Sequence, residues 1–368
     1  AKMKVIILKQ NLLDAINIVQ KAILAKATLP ILEGVYMEAG EKLKLVGNNF
    51  DLSVEYHAEA DIREKGSIVV NSRIFGDIIR KLPDAPVSIE VFDGNKVKIE
   101  CLNSYFEING MESDSYPLPP VVEKEISFTI SQGALKELIR QTIFAVGTDE
   151  NRKIMTGCLI EVENGEIRIA ALDGFRMAVS NSIIKEDVSF KVVVPGKNMN
   201  EILRILETSD DPVTVALSGN LISFIFEECR ISSNVLDGEF MNYRSYIPSQ
   251  FETVITVNTK EFTESIERAS LITSEDKRYP VKFNINDDEM IISSAADIGM
   301  SKEQLKIENS GLPMMIGFNP RYFLDALKVI SDEKIKISFT SSIGPCIVTA
   351  VDHDRYLYLI LPVRIKNN

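Results

Sequence analysis

The pattern of apolar and polar positions repeats three times along the chain. The stretch NSRIFGDIIRKL begins at residue 71, PGKNMNEILRIL at residue 195 and NPRYFLDALKVI at residue 319, so consecutive starts lie 124 residues apart. In every copy positions five, nine and twelve are apolar. At ~100° per residue these positions fall within one sector of a helix about 100° wide. The sequence therefore predicts three equivalent helices, each with one buried face.

The opposite face of each predicted helix is basic, with one acidic position between the basic ones. Position three is Arg73, Lys197 or Arg321, position ten is Arg80, Arg204 or Lys328, and position seven is Asp77, Glu201 or Asp325. Asn71 and Asn319 suit the N-cap, and Pro320 suits the first helical position. One such helix would be an ordinary charged surface helix, but three at the same phase favour a shared role.

Each repeat also predicts a second helix and several antiparallel strands. The additional helices are expected over residues 10–24, 132–146 and 259–271. Hairpin turns are predicted at Asp93-Gly94, Asn164-Gly165 and Gly219-Asn220. We therefore expect an α+β fold of three repeated domains, each with two helices packed on antiparallel sheets. The predicted boundaries are 1–122, 123–250 and 251–368.

Charge separates the three basic stretches from the rest of the chain. They sum to +4, whereas the whole chain of 368 residues carries −12. The chain is 45% hydrophobic, contains no long apolar run and has no signal-like start, so a soluble cytoplasmic protein is expected. The four cysteines are widely scattered without a CxxC pair, which is typical of reduced thiols.

An enzyme and a protein-only scaffold are the alternative interpretations. His57 and His353 are the only histidines, and neither has a serine or cysteine at a recognisable nucleophile spacing. His353 could form a metal site with Asp352 and Asp354, although flanking polar residues of this kind are usually solvated. The sequence contains no GxGxxG or Walker-type loop. Because a basic face repeated three times suits neither alternative, we expect no catalysis, cofactor or metal.

Several segments, in this order, resemble one known family. TLPIL begins at Thr28, VNSRIFGDIIRKLP at Val70, LDGFRMAV at Leu172 and LILPVRI at Leu359. Together they resemble the bacterial DNA sliding clamps, the beta subunits of DNA polymerase III. The resemblance implies that each chain forms half of a closed ring, a head-to-tail homodimer around duplex DNA with helices inside and strands outside. It also implies a non-catalytic role in DNA replication.

The resemblance further implies the partners. They are double-stranded DNA bound without sequence preference, the DNA polymerase III alpha subunit, the clamp loader, and other polymerases and repair proteins that carry short peptide motifs. No membrane is expected. Helix packing agrees with a dimer, because twelve helices spaced ~10 Å apart leave an opening of ~28 Å, whereas six leave only ~10 Å for a duplex roughly 20 Å wide.

Site residues follow from the repeat and from the resemblance. The residues expected at DNA are Lys26, Arg73, Arg80, Arg152, Lys197, Arg204, Arg321 and Lys328. The residues expected at a hydrophobic peptide-binding pocket are Met155, Leu172, Gly174, Phe175, Arg176, Met177, Met241, Leu359, Leu361, Pro362, Val363 and Arg364. Phe175 replaces a common polar residue or histidine, and Met241 a common proline. The dimer interface is expected to place Phe106 against Leu271 and Ile272 of the partner.

Overall fold

A computed structural model describes residues 2–121, 123, 125–273 and 279–365. The predicted domain ends at residues 1, 122 and 368 lie outside the described residues. Each repeat contains two α-helices, as predicted. They are α1 Lys9–Val19, α2 Ser72–Lys81, α3 Gln132–Arg140, α4 Gly196–Ile205, α5 Thr259–Ser270 and α6 Pro320–Leu327.

The strands follow the same threefold order. The first repeat contains β1 Met3–Leu8, β2 Gly34–Ala39, β3 Leu43–Asn48, β4 Leu52–Ala58, β5 Asp61–Glu64, β6 Gly66–Asn71, β7 Pro86–Phe92, β8 Lys96–Cys101 and β9 Ser104–Asn109. The second contains β10 Ile126–Ser131, β11 Gly157–Glu163, β12 Glu166–Leu172, β13 Arg176–Ile183, β14 Phe190–Pro195, β15 Pro212–Ser218, β16 Leu221–Phe226 and β17 Cys229–Asn234. The third contains β18 Thr253–Asn258, β19 Val281–Ile285, β20 Glu289–Ala296, β21 Gly299–Lys306, β22 Glu308–Asn309, β23 Met314–Phe318, β24 Lys334–Phe339, β25 Cys346–Ala350 and β26 Tyr356–Ile360.

The helices begin where the sequence predicts, but two of them end early. Asn71 Oδ1 accepts a hydrogen bond from Ile74 N at 3.0 Å, and Asn319 Oδ1 accepts one from Arg321 N at 3.0 Å. The first helix of the first repeat ends at Val19 and continues as a 3₁₀ turn, so the prediction to residue 24 was too long. The predicted helix over 132–146 ends at Arg140 for the same reason, because apolar spacing does not distinguish α from 3₁₀ turns at helix ends.

The predicted hairpin turns occur in the structure. Asn164 and Gly165 both have positive φ, 52° and 72°, as a two-residue hairpin turn requires. In the first repeat the two left-handed residues are Gly94 and Asn95, one position later than predicted. This difference adds one residue to the loop and leaves the strand register intact.

One compact unit comprises Ala1–Ala134 and Asn200–Val235. It contains a five-stranded sheet in the order β5-β1-β7-β8-β9 and an eight-stranded sheet in the order β10-β15-β16-β17-β4-β3-β2-β6. In the larger sheet a strand of the second repeat pairs with a strand of the first, so that Ile231 on β17 lies opposite Val54 on β4. The sheet therefore combines strands of two repeats.

The other unit comprises Leu135–Met199 and Leu236–Asn368. Its nine-stranded sheet has the order β14-β11-β12-β13-β26-β25-β24-β18-β22, and its four-stranded sheet has the order β21-β20-β19-β23. Here β13 of the second repeat pairs with β26 of the third, and Met177 lies opposite Leu359. All strand pairs named for the two units are antiparallel.

The two inter-repeat pairings follow one rule. In each, the third strand after the first helix of one repeat pairs with the last strand of the next repeat. We call such a pairing a closed seam. Within the described residues, the remaining strands of these two kinds, β21 and β9, each form the outer edge of a sheet.

Burial agrees with the predicted helix faces. Phe75, Ile79 and Phe323 are fully buried on the apolar sides of α2 and α6. All four cysteines are buried and free, as expected for reduced thiols. Among the described helices, none is both long and apolar enough to cross a bilayer.

Candidate functional site

A cavity of about 270 Å³ lies on the closed seam between β13 and β26. Nine of the twelve residues predicted for the peptide pocket line it: Met155, Leu172, Gly174, Phe175, Arg176, Met177, Met241, Leu359 and Leu361. Arg152, Tyr246 and Pro345 complete the lining. The sequence segments that were expected to form one pocket are therefore brought together, although up to about 200 residues separate them in the chain.

A tight turn between β12 and β13 shapes one side of the cavity. The Asp173 carboxylate accepts hydrogen bonds from the backbone N–H groups of Phe175, at 3.0 Å, and Arg176, at 3.1 Å. Gly174, which lies between Asp173 and Phe175, has φ +90°, a conformation that favours glycine. This turn directs the Phe175 side chain outward and leads the chain into β13 at Arg176.

Arg176 is a buried cation fixed by several partners. Only 8% of the residue is exposed. Its Nε donates to Asp173 Oδ2 at 3.1 Å, Nη1 donates to Asp325 Oδ2 at 2.6 Å, and Nη2 donates to the Phe144 carbonyl at 2.9 Å. Its guanidinium lies 4.7 Å from the ring centroid of Tyr322. Because a buried charge needs pairing and hydrogen bonds, these contacts hold Arg176 in one position on the cavity wall.

The cavity floor is apolar and the rim aromatic. Met155, Leu172, Met177 and Leu359 are buried members of one hydrophobic cluster. Methionine adapts to irregular apolar surfaces, which suits a site that receives different side chains. At the rim Phe175 is 59% exposed and its ring stacks on Tyr322 with centroids 6.4 Å apart.

A polar network joins β11 to the segment that carries the lining residue Tyr246. Glu161 on β11 accepts hydrogen bonds from the Tyr243 hydroxyl at 3.2 Å and from Arg244 Nη1 at 3.2 Å. Burial alone would raise the pKa of Glu161, but the hydrogen bonds and charge of Arg244 outweigh it, so the pKa is lowered. Tyr243 and Arg244 belong to the short 3₁₀ helix Tyr243–Tyr246, which also carries a lining residue.

Three residues predicted for the pocket lie beyond the cavity. Pro362, Val363 and Arg364 continue from Leu361 but do not line it. The Val363 N–H donates to the Gly317 carbonyl at 2.9 Å, so the chain is drawn alongside β23 instead. A backbone bridge of this kind leaves no signal in the sequence.

Three residues that line the cavity are not among those predicted for the peptide pocket. Arg152, predicted at DNA, is exposed and lines the cavity. Tyr246 could have been found from its place five residues after Met241, on the same connecting segment. Pro345 lies before β25 and carries no local signal, because only the packing of distant strands brings it to the cavity.

The predicted basic residues are all at the surface. Lys26, Arg73, Arg80, Lys197, Arg204, Arg321 and Lys328 are exposed. Arg80 is also held in place, because its guanidinium donates to Asp77 Oδ1 at 3.2 Å, Gln20 Oε1 at 2.5 Å and Asn17 Oδ1 at 3.2 Å. Arg204 pairs with Glu201 at 3.5 Å and Arg321 with Asp325 at 3.7 Å. The acidic position seven thus pairs with a basic residue in all three repeats.

The predicted dimer residues lie on or near the free sheet edges. On β9, Tyr105 is 56% exposed and Phe106 is 39% exposed. On β21, Met300 is 70% exposed, and Leu271 beyond the end of α5 is also exposed, whereas Ile272 is half-buried. Large apolar side chains on a strand whose outer edge has no partner are a surface that usually needs covering.

The two histidines take part in local hydrogen bonds. His353 Nε2 lies 3.0 Å from Asp332 Oδ1, and the Tyr356 hydroxyl donates to the same carboxylate at 2.5 Å. Asp352 and Asp354 are not its partners in these contacts. His57 Nε2 lies 2.7 Å from Glu55 Oε1. Within residues 2–121, 123, 125–273 and 279–365, no group of three or more His, Cys, Asp or Glu side chains could hold a metal ion.

Comparison with known proteins assigns the family. Three consecutive segments match the domains of one protein family, described as the N-terminal, central and C-terminal domains of the DNA polymerase III beta subunit, over residues 3–120, 129–242 and 244–364. The chain belongs to the beta sliding clamp family. The fold is accordingly three clamp domains with few helices and extensive sheets. Membership also places this clamp among the proteins of DNA replication.

Individual relatives agree over the full length. The beta sliding clamp of Bacillus subtilis is 36% identical over 98% of this chain and 100% of its own. The crystal structure of the Bacillus subtilis DNA polymerase sliding clamp superimposes with a TM-score of 0.96 at 34% identity and covers all of both chains. A putative DNA polymerase III beta subunit from Eubacterium rectale gives a TM-score of 0.94 at 37% identity, covering 99% of this chain and 100% of its own.

Proposed function

We propose that two copies of this clamp form a head-to-tail ring that encircles duplex DNA and tethers the replicative polymerase. The observation that carries this proposal is that β9 and β21 each have one edge without a partner strand in the described part of the chain. Two seams are closed within the chain by one pairing rule, and applying the same rule a third time requires β21 to pair with β9. A second copy supplies the missing strand at each end, so two copies satisfy every seam.

The exposed apolar side chains of β9 and β21 suit such pairing. The strands of the closed seams are mostly buried, whereas β9 and β21 are mostly exposed and carry Tyr105, Phe106 and Met300. Pairing would satisfy the edge N–H and C=O groups and cover these side chains. We place Phe106 of one copy against Leu271 and Ile272 of the other.

We assign the basic helix faces to the DNA. Lysine and arginine side chains attract phosphate oxygens without reading bases, so Arg73, Lys197 and Arg321 would hold a duplex of any sequence. Arg204, Lys328 and Lys26 would add to this field, and Arg80 would do so from a fixed position. We assign Arg152 to the rim of the cavity as well as to this field. Residence on DNA then depends on topology more than on tight contact.

We assign the cavity to short peptides of partner proteins. Its apolar floor fits bulky aliphatic or aromatic side chains, and Arg152 at its edge fits acidic or polar groups. The partners would be the DNA polymerase III alpha subunit, the clamp loader, and other polymerases and repair proteins of the cytoplasm. In this role the clamp contributes no catalysis of its own.

Retention on circular DNA tests the ring directly. Clamps loaded onto nicked circles by a clamp loader should stay bound in high salt and dissociate when the circle is linearised. Direct association of unloaded clamp with a short duplex should weaken steeply with salt. Equal salt sensitivity of the two forms would contradict a topological link.

The native mass tests the interface. Phe106→Glu on β9 and Met300→Glu on β21 should each convert a dimer to a monomer in analytical ultracentrifugation, because a carboxylate would be buried at the new seam. Ile183→Glu, which changes an exposed apolar residue at the end of β13, away from both proposed seam strands, is the control and should stay dimeric. A dimeric Phe106→Glu variant would refute this placement of the interface.

A further inference from the structure

The acidic residue at position seven recurs beside the basic residues of each helix face. Asp77 lies 3.2 Å from Arg80, Glu201 lies 3.5 Å from Arg204, and Asp325 lies 3.7 Å from Arg321. The first two pairs are spaced i,i+3 and the third i,i+4. A helix intended for the tightest possible binding of phosphate would not carry a carboxylate beside its cations.

Helix stability is a weak explanation for these carboxylates. Exposed ion pairs within one helix contribute little to stability, because solvent screens them and ordering two side chains costs entropy. Glu201 adds a cost, since its Oε2 is buried and accepts no hydrogen bond from any described residue. Helix stability therefore does not account for the acidic residue at position seven. Its effect on the charge of the basic helix face is the better explanation.

We propose that the acid at position seven sets the affinity of each basic helix face for the DNA backbone and keeps it low enough for movement along the duplex. This inference rests on the proposed function, in which these faces meet phosphates. Each carboxylate lowers the positive potential of its own face and also forms an ion pair with a neighbouring cation. The effect is local, because it acts within a screening length of about 10 Å.

The expected size of the effect follows from Coulomb's law. One unit charge about 10 Å from a phosphate in water changes the association constant by roughly a factor of two. Removing the carboxylates of Asp77 and Glu201 from both copies of a ring removes four charges. Association should therefore strengthen about tenfold at low salt, and the gain should vanish as salt screens it.

Asp325 is left unchanged in the test because it has a second role. Its Oδ2 also accepts the 2.6 Å hydrogen bond from Arg176, the buried cation on the cavity wall. Neutralising it would disturb the cavity together with the helix face. Asp77 and Glu201 have no contact with the cavity lining among the interactions described above.

The test compares two double variants of the full chain. Asp77→Asn with Glu201→Gln should bind a fluorescent linear duplex of random sequence about tenfold more tightly at ~50 mM salt, with a steeper salt dependence. Glu90→Gln with Glu166→Gln is the control: it removes the same charge from two strand ion pairs, with Lys4 at 3.7 Å and Arg168 at 2.9 Å. The control should bind as the unchanged protein does.

The outcomes separate this inference from the proposed function. An equal gain in the control would show a general charge effect and overturn the inference, and so would no gain in the first variant or in Asp77→Asn alone. Arg73→Ala with Lys197→Ala is measured in parallel. If that variant binds the duplex undiminished, the assignment of these faces to DNA is wrong. If it binds more weakly while the acidic variants are unchanged, only the inference fails.

Discussion

The two closed seams share a backbone turn but differ in the side chains that follow it. At the seam between β4 and β17, the Asn49 amide oxygen accepts from the N–H groups of Asp51 and Leu52 at 3.0 and 2.8 Å. At the seam between β13 and β26, Asp173 lies 124 residues later and makes the same turn with Phe175 and Arg176. The entry into the seam strand is therefore repeated.

The residues that follow the turn are not repeated. Ser53 lies opposite Ser232 in the first seam, whereas Met177 lies opposite Leu359 in the second. Leu52 of the first seam corresponds to Arg176 of the second. Two small polar residues and an aliphatic one are thus replaced by two large apolar residues and a paired cation. The two seams therefore share the turn and the strand pairing, and a few side chains account for the cavity at the second seam.

The largest expected effect comes from giving the second seam the serines of the first. Met177→Ser with Leu359→Ser removes two buried apolar side chains, which should lower the free energy of unfolding by about 4–8 kcal/mol and abolish peptide binding. Urea unfolding and fluorescence anisotropy with a labelled peptide carrying a glutamine and two bulky hydrophobic residues measure both. Ser53→Ala with Ser232→Ala should leave binding unchanged. Peptide binding retained by the first variant would remove the cavity as the site.

Arg176→Leu, which copies Leu52, should have the next largest effect. It leaves the carboxylates of Asp173 and Asp325 without their shared buried cation, so the free energy of unfolding should fall by about 3–5 kcal/mol. Arg176→Lys keeps the charge but lacks the separate guanidinium nitrogens that donate to Asp173 and Asp325. It should therefore recover only part of the lost free energy of unfolding. A variant with leucine as stable as the unchanged protein would show that the network is not a structural requirement of this seam.

The turns themselves provide a smaller and more direct comparison. Asn49→Ala removes two acceptor contacts to backbone N–H groups and should cost about 1 kcal/mol, as loss of a capping residue does. Asp173→Ala removes the same two contacts and also one partner of Arg176, so it should cost more. Asp173→Asn retains the turn, so the difference between this variant and the unchanged protein isolates the ion pair, and the difference between the two variants at this position isolates the turn. Equal costs for the alanine variants would mean that the ion pair contributes nothing.

The smallest expected effect is a matched pH dependence of two glutamates, each the fifth residue of its strand. Glu38 on β2 and Glu161 on β11 both have a lowered pKa. For Glu38 the first cause is the hydrogen bond from Tyr36, whereas for Glu161 the partners must outweigh burial. A lowered folded pKa means that the stabilisation is present above about pH 4.5 and is lost as pH falls through the folded pKa.

Glu38→Gln and Glu161→Gln should therefore differ from the unchanged protein near neutral pH, and the differences should shrink below about pH 4.5. Urea unfolding across that range provides the measurement. The change for Glu38 should be the smaller of the two, because its side chain is 40% accessible to water, whereas Glu161 is buried. A stability difference that grows on acidification would show that the pKa of the glutamate is raised in the folded protein and not lowered.

Prediction succeeded for features that depend on neighbours in the chain. The apolar stripe of α2, its Asn71 cap and the Asn164-Gly165 turn follow from side chains within a few residues of one another. The pocket residues were reached through the resemblance, since no local pattern joins Met177 to Leu359. Arg152 is expected at DNA from the resemblance, and no local pattern shows that its loop folds toward the cavity.

The threefold period, the six helices, the basic faces of three of them and most of the hairpins follow from the amino-acid sequence alone. These features rest on contacts between residues close in the chain, whose side chains must alternate or recur with the local geometry. Three features became apparent only from the folded chain: β4 pairs with β17 and β13 with β26, β9 and β21 lie at sheet edges, and Arg176 donates to Asp325. Backbone hydrogen bonds between distant strands are the same for every residue type, so the sequence does not record which strands they join.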